Sequence, residues 1–288
     1  MTPIALALVL TAAVLHATWN LCAKRAGGGL PFVWLVGVLI CAGYIPVVTF
    51  YVLRYHPVLT QADVMWILGS AVLKTSYSLF LQRGYRSGDF SLIYPLARGT
   101  GPLLSTAGAI ILFAERPSAI ALSGAALIIG AIFTFTGGTR LFHQDNRHLR
   151  TALYYGGGTG LFIAGYTLWD KHGVSALGIP PILYDAGTAY TQLIILTPLA
   201  LRRGPEVKDH WRLHRRYVIG MAVLSPTAYV LVLTAIRVSH VSAVAPAREI
   251  SIVIGAFLGA RVLNEADSRR RIIAAFVMAA GVIALVLG

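Results

Sequence analysis

The sequence predicts an all-α integral membrane protein whose ten transmembrane helices form two inverted five-helix repeats around a central cavity. The composition indicates that the protein lies in a membrane. Of 288 residues, 57% are hydrophobic and 12% are charged, and the mean hydropathy is +0.72. Globular domains carry about 25% charged residues. Ten long apolar stretches and an internal repetition of the sequence give the number of helices and their arrangement.

The apolar stretches are each about 18 to 23 residues long, which is enough for a helix to cross a hydrocarbon layer about 30 Å thick. The first lacks the positively charged start of a signal peptide, so we expect it to remain as a helix. The predicted spans are 3–23, 31–52, 62–82, 90–113, 117–137, 151–170, 180–201, 217–236, 241–262 and 271–288.

One half of the sequence repeats the other at an offset of 150 or 151 residues. The paired segments are Trp19-Asn20 with Trp169-Asp170, Ala97-Arg98 with Ala247-Arg248, Glu115 with Glu265, and Ser91 and Pro95 with Ser242 and Pro246. We therefore predict a first repeat over 1–138, a basic cytoplasmic linker over 139–150, and a second repeat over 151–288. A unit of five helices begins and ends on opposite sides of the membrane, so the second copy is inverted relative to the first.

The distribution of positive charge predicts the orientation. Loops after odd-numbered helices carry 17 of the 24 Lys and Arg residues, and loops after even-numbered helices carry 4. The richer side is the cytoplasmic side, which puts both termini on the non-cytoplasmic side. The net charge of +13 is therefore mainly a topology signal. Its scatter over short loops argues against nucleic-acid binding.

Polar side chains at membrane depth are costly and usually mark a pathway. They concentrate on helices 1, 3 and 4 and on their counterparts 6, 8 and 9, which we expect to line the cavity, whereas the more apolar helices 2, 5, 7 and 10 face lipid. Asp185 in helix 7 breaks this pattern and is assigned no role. Pro95 and Pro246 are candidate hinges. The candidate substrate-binding residues are His16, Trp19, Asn20, Lys74, Tyr77, Ser78, Tyr94, Arg98, Tyr166, Trp169, Thr227, Tyr229, Arg248 and Glu249.

The candidate charges make the cavity electropositive, since three cations, Lys74, Arg98 and Arg248, face one anion, Glu249. Such a cavity favours a carboxylate or a phosphate. Arg98 is the strongest candidate because a guanidinium binds a carboxylate through two parallel hydrogen bonds. The alternative is that Arg98 and Lys74 belong to internal ion pairs. For Trp19 and Trp169, an interfacial anchor is as plausible as a cavity wall.

Three features together resemble a known family. They are the doubled unit, the segment Tyr94-Pro95-Leu96-Ala97-Arg98 with its copy Ala245-Pro246-Ala247-Arg248, and a spacing of Glu-x8-small-x5-small, at Glu115, Gly124 and Gly130 and again at Glu265, Ala274 and Ala280. The chain resembles the EamA-type branch of the drug/metabolite transporter (DMT) superfamily, and within it the amino-acid exporters. The resemblance implies a ten-helix basket with a central cavity and secondary transport of small metabolites, commonly amino acids moved outward.

The expected function is a secondary transporter of the bacterial-type inner (plasma) membrane that works by alternating access and exports amino acids, including aromatic ones. Two alternatives stay open: a transporter of another anionic or phosphorylated metabolite, and an intramembrane enzyme acting on a lipid head group. The enzyme reading lacks paired carboxylates and a nucleophile with a positioned base.

The expected partners are a zwitterionic or anionic small molecule and membrane lipids, with protons as a candidate coupling ion carried by His16 or Glu249. We expect a monomer, with no nucleic acid, cofactor or metal. Cys22 and Cys41 lie within predicted helices and offer neither a disulfide nor a metal site.

Overall fold

A computed structural model describes residues 1–87, 90–136, 150–151, 153–254 and 268–288, and the regular elements in these ranges are all helical. Short π-helical segments, Leu153–Gly157 and His172–Ala176, extend the sixth helix at its two ends. The helices are α1 Pro3–Arg25, α2 Leu30–Tyr55, α3 Gln61–Ser87, α4 Phe90–Leu112, α5 Ala119–Thr136, α6 Gly158–Lys171, α7 Pro181–Leu201, α8 Gly204–Val238, α9 Val241–Arg248 and α10 Ser268–Leu287.

The surface of the helices is that of a protein surrounded by lipid. In the described part of the chain, four helical stretches are long and apolar enough to cross a membrane: Pro3–Ala23, Leu30–Tyr55, Gln61–Leu81 and Gly204–Val238. Large apolar side chains on several helices are mostly exposed, among them Phe50, Ile111 and Phe276. Water-soluble monomers rarely expose so many together. The protein is therefore a multi-pass membrane protein.

The largest difference from the predicted spans is in α8, which begins at Gly204 and runs for 35 residues, whereas the predicted span began at 217. The preceding segment was expected to be a loop because it is rich in Arg and Lys. Pro205 in the first turn and Glu206 beside the positive end of the helix dipole favour an early helix start. The helix therefore extends beyond the apolar span. The predicted linker 139–150, apart from Arg150, and the end of the predicted ninth helix with Glu265 lie outside the described residues.

The helix packing has the exchange symmetry of two similar five-helix units. Helix α1 packs against α8, and α6, five helices after α1, packs against α3, the counterpart of α8. In the same way α4 contacts α6 and α9 contacts α1. The pairs α2 with α7, α4 with α9, and α5 with α10 each join a helix to its own counterpart. Exchanging the two units therefore reproduces these contacts.

Two glycines allow the close contact between α5 and α10. A Cβ atom added to Gly124 would lie 2.6 Å from the carbonyl oxygen of Gly281, and one added to Gly281 would lie 2.8 Å from the carbonyl oxygen of Gly124. No side chain fits at these distances, so each backbone packs directly on the other. Small residues allow this approach within membranes, so Gly124 and Gly281 serve the packing of α5 on α10.

The Glu115 carboxylate joins the two units at the end of α4. It is buried and accepts hydrogen bonds from the backbone N–H groups of Val241 and Ser242, each 2.9 Å long. These are unpaired donors of the first turn of α9, where a carboxylate also complements the helix dipole. The sequence predicts a helix-terminal role for Glu115 at the start of the next helix, α5. The carboxylate instead caps α9 of the other unit.

Candidate functional site

A cavity of about 500 Å³ lies between the helices and receives side chains from both units. Residues of α1, α3 and α4 line it together with residues of α6, α8 and α9, as the sequence predicts. Ten candidate residues lie on its wall: His16, Trp19, Asn20, Lys74, Tyr77, Ser78, Arg98, Tyr166, Tyr229 and Arg248.

The cavity extends toward one end of the helix bundle. On α1 and α3 its lining reaches Ala23 and Leu81, near the ends of those helices, and it includes Gly28 in the connection to α2. On α2 it begins at Phe32, next to the start of that helix. These helix ends adjoin the loops that are rich in Lys and Arg, so the cavity reaches toward the side that the charge distribution predicts to be cytoplasmic.

Toward the other end of the bundle, two tryptophans join α3 to α6. The rings of Trp66 and Trp169 are stacked, with centroids 4.0 Å apart and planes 11° apart. Each indole N–H donates to the backbone oxygen of the other residue, and both hydrogen bonds are 2.8 Å long. A Cβ at Gly69 would lie 2.5 Å from an atom of the Trp169 ring, so glycine is required for this approach. The pair holds the two units together across the end of the bundle opposite Gly28.

The Lys74 side chain is paired with Asp170, a residue that is completely buried. The Lys74 Nζ lies 3.1 Å from Oδ2 of Asp170, in the geometry of an ion pair rather than of a hydrogen bond. Hydroxyl groups of Ser70, Tyr184 and Tyr229 all donate to the same carboxylate. The ammonium group also lies 4.1 Å from the centre of the Tyr229 ring, an arrangement that stabilises a cation. The charge of Lys74 is therefore compensated within the protein.

The two arginines of the cavity share one carboxylate. The Arg98 Nη2 lies 2.9 Å from Oε2 of Glu249, whereas the Arg248 Nε lies 3.8 Å from Oε1. Glu249 is 1% exposed, directly follows α9 and does not line the cavity, and its carboxylate contacts Arg98 on α4. Adjacent residues on a helix point about 100° apart, which is why Glu249 pairs with the distant Arg98 more closely than with its neighbour. Of the two arginines, Arg248 has the longer contact with this carboxylate.

Asp185 on α7 also lines the cavity and is buried, with 9% of the residue exposed. The hydroxyl group of Tyr44 on α2 donates to its Oδ2 at 2.6 Å. No cationic nitrogen of the described residues lies within 4 Å of this carboxylate. Helices α2 and α7, which the sequence assigned to the lipid-facing ring, thus contribute to the cavity wall through Phe32, Asp185 and other residues. That assignment is wrong because a single buried polar residue has little effect on the average polarity of a helix.

Comparisons with known proteins identify the family. The EamA-like transporter family matches residues 3–137 and 151–287, which is nearly the whole chain. The chain belongs to the EamA-like transporter family. A search of curated proteins finds no match. Among solved structures, 26 chains match. One, described only as a crystal structure of a protein, has a TM-score of 0.77 over 98% of both chains at 16% sequence identity, which shows a shared fold alone.

Some candidate residues of this EamA-family chain lie away from the cavity wall. Trp169 is held in the stacked pair with Trp66, and Glu249 is buried behind Arg98. Thr227 is exposed on α8 and donates to the backbone oxygen of Val223 at 2.7 Å. Thr227 is close to Pro226 and Tyr229 in the sequence, but its side chain lies on a different face of the helix. Among the described residues, these three do not line the cavity.

The remaining candidates are placed in part. Tyr94 and Pro95 lie on the described backbone of α4, but their side chains fall outside the described residues. Pro246 is buried within α9, two residues before the helix ends at Arg248. A proline removes one backbone hydrogen bond, so the hinge role of Pro246 stays a prediction supported by this position.

From the sequence of this EamA-family chain, Asp170 is a polar residue at membrane depth but not a candidate binding residue, Asp185 is assigned no role, and Gln192 is not identified. Asp185 and Gln192 line the cavity, and Asp170 holds Lys74 from behind. A signal for Asp170 was available: the second repeat has an acid where the first has Asn20, on a helix predicted to line the cavity. For Asp185 the signal was the presence of an acid inside an apolar span, which is rarely tolerated without a function.

Proposed function

We propose that this member of the EamA-like family is a secondary transporter that exports zwitterionic metabolites, foremost amino acids, across a bacterial-type inner membrane. The family establishes a membrane transporter of small molecules. The finer proposal rests on one observation: Arg248 faces the cavity while its nearest described carboxylate, 3.8 Å away, is held more closely by Arg98.

The charges around the cavity favour a carboxylate-bearing substrate. Lys74 is compensated by Asp170, and Arg98 by Glu249, at 3.1 Å and 2.9 Å respectively. Arg248 is buried, and the only carboxylate that it contacts among the described residues, that of Glu249, also pairs with Arg98. A guanidinium in a partly desolvated site gains most from a ligand that accepts two parallel hydrogen bonds. A substrate carboxylate supplies that geometry and completes the charge balance.

The size and the aromatic lining of the cavity favour a small molecule with an apolar or aromatic side chain. A volume of about 500 Å³ lies within the usual range of small-molecule sites. Trp19, Tyr77, Tyr166 and Tyr229 contribute to its wall. Aromatic rings pack against one another in stacked or edge-to-face arrangements that add to the gain from burial. Aromatic amino acids are therefore included among the proposed substrates.

Alternating access between two inverted five-helix repeats is the proposed mechanism. Its support is the difference between equivalent residues: Trp19 lines the cavity, whereas Trp169, its counterpart, is locked in the pair with Trp66. Two copies of one fold can exchange their conformations. The exchange would open the Trp66–Trp169 end and close the end at Gly28, carrying the substrate outward from the predicted cytoplasmic side.

The test is counterflow in proteoliposomes with a panel of labelled amino acids and a phosphorylated metabolite. We expect the wild type to exchange amino acids and Arg248→Gln to lower that rate by about tenfold or more, because hydrogen bonds to charged groups are worth about 1.5–3 kcal/mol. Arg237→Gln, which changes an exposed arginine at the end of α8, is the matched control and should keep the wild-type rate.

Three outcomes would contradict the proposal. If the wild type exchanges no solute, it is not a transporter of these classes. If it exchanges the phosphorylated metabolite and no amino acid, the substrate class is wrong. If Arg248→Gln and Arg237→Gln have equal rates, Arg248 does not bind the substrate.

A further inference from the structure

We propose that Asp185, oriented by Tyr44, binds the ammonium group of the transported substrate and selects zwitterions over simple anions. The proposal rests on the proposed function, because it assigns a second binding group to the same cavity.

Asp185 combines burial with access to the cavity. It lies in the second turn of α7, is 9% exposed, and belongs to the cavity wall. Within the described residues, the Tyr44 hydroxyl group is the only donor to its carboxylate, and it contacts Oδ2 at 2.6 Å. An ionised carboxylate accepts about four hydrogen bonds. Most of this capacity is open to a ligand in the cavity.

Three other buried carboxylates of the described chain have more partners than Asp185. Asp170 forms an ion pair with Lys74 and accepts hydrogen bonds from three hydroxyl groups. Glu249 forms ion pairs with two arginines. Glu115 accepts hydrogen bonds from two backbone N–H groups at the start of α9. Asp185 has one neutral donor and, within the part of the chain that the structure describes, no cation within 4 Å. Burying a charge without a partner is costly, so a cationic group of the substrate would relieve that cost.

The position of Asp185 complements that of Arg248. The two residues line the same cavity from α7 and α9 and carry opposite charges, and each is the less compensated member of its charge type. A zwitterion whose carboxylate reaches Arg248 and whose ammonium group reaches Asp185 satisfies both. A deaminated acid satisfies Arg248 alone and leaves Asp185 without a cation. The cavity therefore has a physical reason to reject such an acid.

Tyr44 fixes the orientation of the carboxylate. It is buried on α2, and its hydrogen bond to Oδ2 leaves Oδ1 for the ligand. Tyr190, which also bridges α2 and α7, donates instead to the backbone oxygen of Cys41 at 2.8 Å and does not line the cavity. Tyr44→Phe and Tyr190→Phe therefore remove the same group from the same pair of helices, but only the first touches Asp185.

The experiment compares the amino acid that the wild type exchanges fastest with its deaminated acid; for phenylalanine the pair is phenylalanine and 3-phenylpropionate. Counterflow rates are measured for the wild type, Asp185→Asn, Tyr44→Phe and Tyr190→Phe. We expect the wild type to prefer the amino acid. Asp185→Asn should lower amino-acid exchange about tenfold or more while keeping or raising exchange of the deaminated acid. Tyr44→Phe should show a smaller change in the same direction, and Tyr190→Phe should match the wild type.

The outcomes separate this proposal from the proposed function. A wild type that exchanges no amino acid refutes the proposed function. A wild type that exchanges the amino acid, together with an Asp185→Asn variant that keeps the full preference or loses both substrates equally, refutes only the role of Asp185. If Asp185→Asn does not fold, Tyr44→Phe decides: an unchanged substrate preference overturns the proposal.

Discussion

Replacing Glu249 by glutamine tests whether the cavity arginines are held by one shared carboxylate. Glu249 is 1% exposed and lies 2.9 Å from Arg98 and 3.8 Å from Arg248. The substitution keeps the size of the side chain but removes the negative charge between two guanidinium groups. Both arginines then face each other without an internal counter-charge. We expect a large loss of stability rather than a selective change of transport.

The expected magnitude follows from the burial of the pair. Removing one partner of a buried ion pair costs about 3–5 kcal/mol of unfolding free energy. The exposed pair Arg203–Glu206, 3.8 Å apart, gives the control: Glu206→Gln should change the stability by about 1 kcal/mol or less, including the loss of the interaction with the helix dipole. The two substitutions are chemically identical, so the difference between them measures the effect of burial.

The assay is reversible unfolding in detergent micelles, applied to a double-mutant cycle with Arg98→Met. When Arg98 is already absent, Glu249→Gln removes only the weaker 3.8 Å interaction with Arg248. The cost of Glu249→Gln should then fall by about 2 kcal/mol or more, within the range of coupling between residues in contact. The reasoning is refuted if Glu249→Gln costs no more than Glu206→Gln, or if Arg98→Met leaves its cost unchanged.

Two further predictions concern the direction of opening and the topology. Trp66→Leu removes the ring stack and one of the two reciprocal hydrogen bonds, together about 2 kcal/mol, and should favour opening at that end. In a background with Cys22 and Cys41 changed to Ser, a cysteine introduced in place of Ser225 on the cavity wall should then react several-fold faster with an impermeant maleimide added outside cells, and an unchanged rate would contradict the role of the pair. A reporter that is active only in the cytoplasm, fused after Gly288, should be silent, because the charge distribution places the carboxyl terminus outside. A bright reporter would reverse the predicted orientation.

The sequence predicts most of the described helices, apart from the early start of α8, because helix formation depends on local composition. It identifies six helices that line the cavity because their polar residues recur in both repeats, but it does not identify α2 and α7. It does not predict which charges neutralise each other. Arg98 was the favoured carboxylate-binding residue, yet Glu249 reaches it from the other repeat, and Arg248 is left with the weaker contact. Pairing of this kind depends on the rotation of two helices that are distant in sequence.

The positions at which the two repeats differ indicate how the charges of the cavity are paired. At one repeated site, Asn20 lies on the cavity wall and bonds to the backbone of its own helix, whereas Asp170 is buried and holds Lys74. At the other, Gly99 follows Arg98, but Glu249 follows Arg248 and pairs with the arginine of the opposite repeat.

Each acid thus occurs in the second repeat alone and compensates a cation of the first. Lys74 and Arg98 both belong to the first repeat, so both of its cavity cations are compensated by acids from the second. The cation left weakly compensated, Arg248, belongs to the second repeat, as does Asp185, the acid that has no cation within 4 Å among the described residues. In the proposed mechanism the charges that bind the substrate therefore lie on one repeat, and the ion pairs that join the repeats fix the position of the other.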